Sequence, residues 1–194
     1  MHTLELQNHY YLMRHGQSLA NVQGIIVSHP ESGTQGFGLT DAGRRQVLES
    51  AKTLRTKIEE VVIYSSDFLR ARETAELVKA TLSLNRPVEY SALLRERDFG
   101  DFEKRSDDCY QTVWSRDRED ADSGADGVES VASVLKRAGA FIQKVEAGQK
   151  GKNILVVSHG DVLQIMQTLF EGTDGRLHRR ILHLEQAEIR YLGS

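Results

Sequence analysis

Short apolar runs alternate along the chain with stretches whose apolar residues recur every three or four positions, the rhythm of an α/β protein. Tyr10-Tyr11-Leu12-Met13 and Val61-Val62-Ile63-Tyr64 predict strands, and Val88-Glu89-Tyr90 predicts a brief one after the stop at Asn85-Arg86-Pro87. Ile154-Leu155-Val156-Val157 is continuous and largely β-branched, as suits a strand buried on both faces. Gln186-Ala187-Glu188-Ile189-Arg190-Tyr191 alternates like a strand with one wet face. Helical spacing fills the intervals. Thr40 is placed to cap a helix carrying Val47, Leu48, Ala51, Leu54 and Ile58 on one face. Ser65-Ser66-Asp67 predicts a helix start, with Ala71, Ala75 and Val78 along the helix that follows. Two more helices are predicted, one from Val131 with Val134, Ala138, Phe141, Ile142 and Val145, the other over Val162–Phe170.

The pattern breaks in two places, about Gly24–Gly38 and Asp98–Gly127, which read as irregular. Long loops in a small domain are usually functional or disordered, so both are candidates for the walls of a binding site. Charge singles out the second. The interval Asp98–Glu129 holds eleven acidic and four basic residues, whereas the whole chain carries a net −3. The remainder is therefore mildly basic, which suits a pocket for small anions; charge counts alone equally fit a solvated acidic loop.

Length and composition exclude several classes. A chain of 194 residues buries about 70% of its unfolded surface, enough for one core, and a single domain over 1–194 is expected. No apolar stretch approaches the roughly 20 residues of a membrane span, and Met1-His2-Thr3-Leu4-Glu5 shows no basic region followed by an apolar run. One cysteine, Cys109, fits an ordinary thiol in a reducing compartment, so a cytoplasmic protein is expected. The net negative charge speaks against a nucleic-acid partner. The histidines show no metal-ligand spacing, and neither a Gly-x-x-x-x-Gly-Lys loop nor a correctly spaced cysteine phosphatase loop occurs. No metal or other cofactor is expected.

Candidate chemistry clusters where predicted strands end. Arg14-His15-Gly16-Gln17-Ser18 follows the first strand, with Asn21 just beyond; Arg70 falls in the first turn of the helix after the second; Ser158-His159-Gly160-Asp161 follows the fourth. In open α/β sheets, ligands bind at such carboxyl ends. If the strands are parallel neighbours, two histidines and two arginines converge, and arginines at helix N-termini attract an anion such as a phosphoryl group. A histidine between arginines stays neutral near pH 7 and is then a competent nucleophile. A leaving alkoxide needs a proton, and Glu96 in Leu93-Leu94-Arg95-Glu96-Arg97-Asp98-Phe99-Gly100 is a candidate donor. Burial would raise its pKa and the flanking arginines would lower it, so sequence leaves the net direction open.

These stretches resemble a known family. Leu12-Met13-Arg14-His15-Gly16-Gln17-Ser18-Leu19-Ala20-Asn21, Gly38-Leu39-Thr40-Asp41-Ala42-Gly43, Tyr64–Ala75, Glu96–Gly100 and Val156–Gly160 are similar to motifs of the histidine phosphatase superfamily, the phosphoglycerate mutase-like proteins. The resemblance runs from Leu12 to about Phe170. It implies a three-layer α/β/α sandwich with a mostly parallel central sheet. It also implies metal-independent chemistry through a phosphohistidine on His15, with Arg14, Arg70 and His159 on the phosphoryl oxygens. Asn21 and the Gly160 backbone would assist, with Ser18 and Arg97 as further substrate-binding positions; for Ser18 a turn-capping role is the even alternative. Glu96 would be general acid, then base. Asp161 is a rival acid, but Gly160 separates it from His159, which favours Glu96; Glu103 lies close by in the chain.

The resemblance leaves three outcomes: phosphatase, mutase or a catalytically silent binding protein. Relatives among the mutases carry paired arginines in a longer insertion and a C-terminal tail over the pocket. Here Arg116 and Arg118 are not adjacent and the chain ends at Ser194, so hydrolysis is expected. Loss of a catalytic residue would mark a binding protein, and His15, Arg70, Glu96 and His159 are all present. The similarity is greatest to small broad-range phosphatases, so the expected partner is a small phosphorylated metabolite, with a phosphorylated protein as the other possibility. Sequence leaves monomer or homodimer open.

Overall fold

Five strands form one sheet in the computed structural model, which describes residues 6–193; Met1–Glu5, where the sequence shows no secretory signal, and Ser194 lie outside that range. They are β1 (His9–Arg14), β2 (Val62–Ser65), β3 (Glu89–Tyr90), β4 (Asn153–Ser158) and β5 (Ile189–Gly193), in spatial order β3-β2-β4-β1-β5. β1 to β4 pair in parallel, and β5 runs antiparallel to β1. β4 sits centrally and is buried from Ile154 to Ser158, as its continuous apolar run requires. The register sets Met13 against Val157 and Arg14 against Ser158, so β1 and β4 end at the same level. That alignment fixes where the chemistry converges.

Seven helices connect the strands: α1 (Leu19–Gln23), α2 (Pro30–Gly33), α3 (Asp41–Arg55), α4 (Leu69–Leu82), α5 (Tyr110–Glu119), α6 (Val131–Gly148) and α7 (Gly160–Glu171). Strand side chains alternate between faces. Tyr10, Leu12, Tyr64 and Val156 pack with Phe141, Ile142 and Leu163 of α6 and α7. Met13, Ile63 and Val157 pack with Val47, Ala51, Ala71 and Ala75 of α3 and α4. Helices on both faces of a mostly parallel sheet are the three expected layers.

Local chemistry sets the helix starts. Thr40 Oγ1 accepts from the Gly43 N–H at 3.0 Å, with Asp41 in the first turn of α3. Ser130 caps α6 in the same way through the Ser133 N–H. The exit of β1 lies directly on α3: a Cβ on Gly16 would stand 2.6 Å from the Gly43 carbonyl oxygen, and one on Gly43 would stand 2.0 Å from that of Gln17. Glycine at both positions allows this approach, which anchors the loop carrying His15.

Several expectations need correction. α3 ends at Arg55, so Ile58 lies beyond the helix rather than on its apolar face. α4 starts at Leu69, two residues past Asp67, whose carboxylate holds Arg95 in a two-pronged ion pair (2.6 and 2.8 Å). The last strand starts at Ile189, not Gln186: Ala187 turns the chain at φ +60°, and its N–H donates to the carbonyls of Arg14 and His15. The irregular reading of 98–127 also fails, since that interval contains α5 and several 3-10 turns. Its buried face runs through Tyr110, Val113 and Trp114 to Asp117, and an acidic residue there broke the apolar stripe. Gly24–Gly38 likewise holds α1's left-handed cap at Gly24 and the short α2. The two segments are stitched together over the sheet ends by Ile26–Arg105, Lys104–Ile26 and Asp107–Gly24 backbone bonds.

Candidate active site

The carboxyl ends of β1 and β4 present His15 and His159 with ring centroids 5.2 Å apart. Both are buried. The His15 backbone N–H donates to the Ser158 carbonyl at 3.0 Å, extending the ladder to the reactive residue. His15 Nδ1 lies 2.8 Å from the Gly16 carbonyl oxygen. A carbonyl can only accept, so Nδ1 carries the proton and Nε2 is left with its lone pair. The Arg70 Nε–H donates to that Nε2 at 3.1 Å. Burial first, then Arg70 and Arg14, hold the His15 pKa well below its ordinary value. The imidazole is therefore held neutral and oriented, with the lone pair of Nε2 directed at Arg70, an arrangement that can serve nucleophilic attack.

Around it stand polar atoms with no hydrogen-bond partner in the protein. Arg70 is buried; its Nη2 donates to the Val27 carbonyl, while Nη1 has no partner. Arg14 Nε and His159 Nδ1 are buried and unpartnered in the same way. Groups of this kind are rare in native proteins unless they serve a ligand. His159 is held by Ser66 Oγ at 2.9 Å, and burial followed by Arg70 lowers its pKa well below the ordinary value. α7 begins at Gly160 with no side-chain cap, so its first N–H groups add partial positive charge. A Cβ on Gly160 would meet Arg14 Nε at 3.3 Å, so the glycine lets that guanidinium lie close to the helix start. Such an arrangement can accept an oxyanion.

Glu96 lines the same cavity and stands 4.0 Å from His159 Nδ1. Its Oε1 accepts from the Arg97 N–H at 3.0 Å. Burial dominates the opposing pull of Arg70, and Asp161 adds to it, raising the pKa to about 7. A carboxyl balanced near neutrality can both give and take a proton. Its rivals are otherwise engaged. Glu103 Oε2 accepts from the Ser28 N–H, the Ser28 hydroxyl and the His29 N–H, clamping two loops together. Asp161 accepts from Arg97 (3.2 Å) and from the Trp114 indole N–H (2.9 Å).

The cavity has a volume of about 270 Å³ and takes in Arg14, His15, Ser18, Asn21, Arg70 and Gly160 as well as Glu96. Ser18 Oγ donates to Asn21 Oδ1 (2.9 Å) and accepts from the Asn21 N–H, so Ser18 caps α1 while Asn21 keeps its amide N–H₂ for the cavity. Arg97, expected at the substrate, does not line the cavity. It is fully buried away from the cavity wall, with Asp117 bridging Nη1 and Nη2 (2.6 and 2.7 Å), Asp161 on Nη1 and the Glu129 carbonyl on Nε. Sequence reasoning also missed the outer wall of Tyr110, Trp114, Gln164, Arg179 and His183. The spacing of Tyr110, Val113 and Trp114 was the available signal for the α5 part.

Fold and site together define an α/β protein in which two buried histidines, two arginines and a carboxyl converge at the carboxyl ends of parallel strands. A family model for the histidine phosphatase superfamily (branch 1) matches residues 10–193, and the chain belongs to that superfamily. It is 31% identical over 161 residues to phosphoglycerate mutase-like protein 4 of Arabidopsis thaliana, covering 79% of this chain and 66% of that one. It is 30% identical over 167 residues to the adenosylcobalamin/alpha-ribazole phosphatase of Escherichia coli, covering 80% and 75%. The chain thus spans about two-thirds to three-quarters of these relatives' lengths. A solved alpha-ribazole-5'-P phosphatase from Escherichia coli, described as putative, superposes with a TM-score of 0.75 at 26% identity, with 96% of each chain covered. Among the described residues no helix is long and apolar enough to cross a membrane, and no three His, Cys, Asp or Glu side chains gather to hold a metal ion.

Proposed function

We propose that this chain is a metal-independent phosphomonoesterase that hydrolyses small phosphorylated metabolites through a phosphohistidine on His15. The observation that carries this reading is the unprotonated Nε2 of His15, which among the described residues accepts only from Arg70 and lies with Glu96 in one cavity, the His159 ring packed 5.2 Å from that of His15. A phosphoryl group seats against Arg14, Arg70, His159, Asn21 and the Gly160 N–H. His15 Nε2 attacks phosphorus, the P–O bond to the leaving group breaks, and the Glu96 proton passes to the departing oxygen. Water then attacks the phosphohistidine and gives a proton to the Glu96 carboxylate as the P–N bond breaks. Phosphate leaves with both side chains back in their starting forms. Positioning and charge neutralisation do most of the catalysis, as phosphoryl transfer requires.

The named activity of the Escherichia coli relative supports hydrolysis. So does Arg116, which is half-exposed and paired with Asp126 rather than lining the cavity. The cavity lies just below the roughly 300–1,000 Å³ usual for small-molecule sites, which favours a metabolite over a phosphorylated protein. Offering the enzyme phosphoglycerate in the presence of a chelator decides the matter. Inorganic phosphate is expected at an undiminished rate; isomerised phosphoglycerate would make the chain a mutase, and loss of activity on chelation would overturn metal independence.

A further inference from the structure

Three arginines line the cavity, and among the described residues none has a carboxylate within 4.0 Å. Arg14 and Arg70 belong to the phosphoryl site. The third, Arg179, is unaccounted for. It comes from the 3-10 segment Gly175–Arg180, which follows α7 and lies outside every motif that builds the floor. Its guanidinium lies 3.5 Å from the centroid of the Trp114 ring. Trp114 in turn stacks on Tyr110, with centroids 5.2 Å apart and planes at 8°. The indole is itself fixed, because its N–H donates to Asp161. Nη1 of Arg179 donates to Gln164 Oε1, and among the described residues Nε and Nη2 have no hydrogen-bond partner.

A guanidinium whose carbon sits 3.5 Å over an aromatic ring is held there by cation–π attraction while its N–H groups stay available, and a planar or tetrahedral anion can accept two of them. The stack also removes the rotamer entropy that a free arginine would lose on binding. Asp161, the acid whose charge acts most strongly on Arg179, is already held by Arg97, and Asp107 stands exposed on the wall. From this arrangement we infer that Arg179, held by Trp114 and Gln164, is an anion subsite for the leaving group. The preferred substrates are then small phosphomonoesters bearing a second negative group, a carboxylate or another phosphate. The inference rests on the phosphatase reading above and extends it to substrate class.

Matched substrate pairs test it. 3-Phosphoglycerate against glycerol 3-phosphate probes the carboxylate, and propane-1,3-diyl bisphosphate against propyl phosphate probes a second phosphate. A bidentate charged bond lost from one member predicts a kcat/KM ratio of about tenfold to a hundredfold for the preferred anion in the unaltered enzyme. In Arg179→Gln the ratio falls to within about threefold of unity, and Arg179→Lys restores part of it. Whichever pair shows the ratio names the anion. Equal kcat/KM within both pairs, or a ratio that survives Arg179→Gln, overturns the subsite. Calorimetric binding of 3-phosphoglycerate and glycerol 3-phosphate to His15→Ala, with and without Arg179→Gln, separates the two claims. Failure of turnover on every ester counts against the phosphatase reading; equal affinity for the two ligands counts against the subsite.

Discussion

The floor of the cavity and its outer wall are built by different rules. The floor is made of residues at the ends of β1 and β4 and the start of α4 and α7, where backbone ladders and close glycine contacts leave little freedom. The wall comes from α5 and the Gly175–Arg180 segment, held by stacking and by ion pairs between side chains. A reaction common to many substrates needs the first; choice among substrates needs the second. Two buried arginines show the division within a few residues. Arg70, 4% exposed, keeps a donor unpartnered and faces the cavity, whereas Arg97, 0% exposed, spends its guanidinium on Asp117, Asp161 and Glu129. The first is kept for a ligand, and the second fastens α5 to the loop that carries Glu96.

Several measurements break or sharpen this contrast. The largest effect is expected at Glu96. Glu96→Gln lowers kcat/KM on alkyl phosphates by about 10²–10⁴-fold, the usual worth of a general acid. The loss is smaller on p-nitrophenyl phosphate, whose leaving group needs no proton. Because the free enzyme must carry the proton and the Glu96 pKa stands at about 7, kcat/KM stays level below pH 7. Above that pH it falls by about tenfold per unit. The limb disappears in Glu96→Gln, and any acid limb from His15 lies well below the ordinary histidine range, because burial and the two arginines disfavour its charged form. Persistence of the same limb in Glu96→Gln would assign it to another group.

Next come the two arginine environments. Arg70→Gln removes a positioned donor for the phosphoryl oxygens and costs about 10²–10³-fold in kcat, with a small change in melting temperature. Asp117→Ala does the reverse in kind: it leaves Arg97 buried and short of a carboxylate, costing about 3–5 kcal/mol of stability. Denaturant unfolding and steady-state kinetics on the two variants check the division, and equal stability losses would erase it.

The smallest effect is a stability gain. A carboxyl at about 4.5 when unfolded and about 7 when folded costs nothing below pH 4.5. The penalty grows between those values and reaches about 3 kcal/mol above pH 7. Glu96→Gln is therefore expected to unfold at a higher temperature than the natural chain at pH 8, with the gap closing toward pH 5. A gap independent of pH would show that the ionised carboxylate is not the source.

The floor was legible in the sequence because strand ends are fixed by apolar runs, and Arg14-His15-Gly16 and Ser158-His159-Gly160 each follow one directly. Spacing alone could not say which way Glu96 would titrate, since burial and the arginines pull oppositely and only the folded surroundings set their balance. Arg97 was misplaced for a related reason: adjacency to Glu96 suggested a shared pocket. Neighbours in extended chain point to opposite sides, and both flanking arginines turn away, Arg95 to Asp67 and Arg97 to Asp117. The wall was least legible. α5 buries Asp117 on its inner face, which hid the helix, and Arg179 meets Trp114 across 65 positions of chain with no local pattern to announce it.

The central claim is covalent chemistry at His15. Rapid quenching after mixing with a phosphorus-labelled monoester, then mapping the label by peptide, tests it most directly. An acid-labile phosphoryl group on the peptide containing His15, absent in His15→Ala, is the predicted result. Acid-stable label on a serine, or full turnover by His15→Ala, would contradict it.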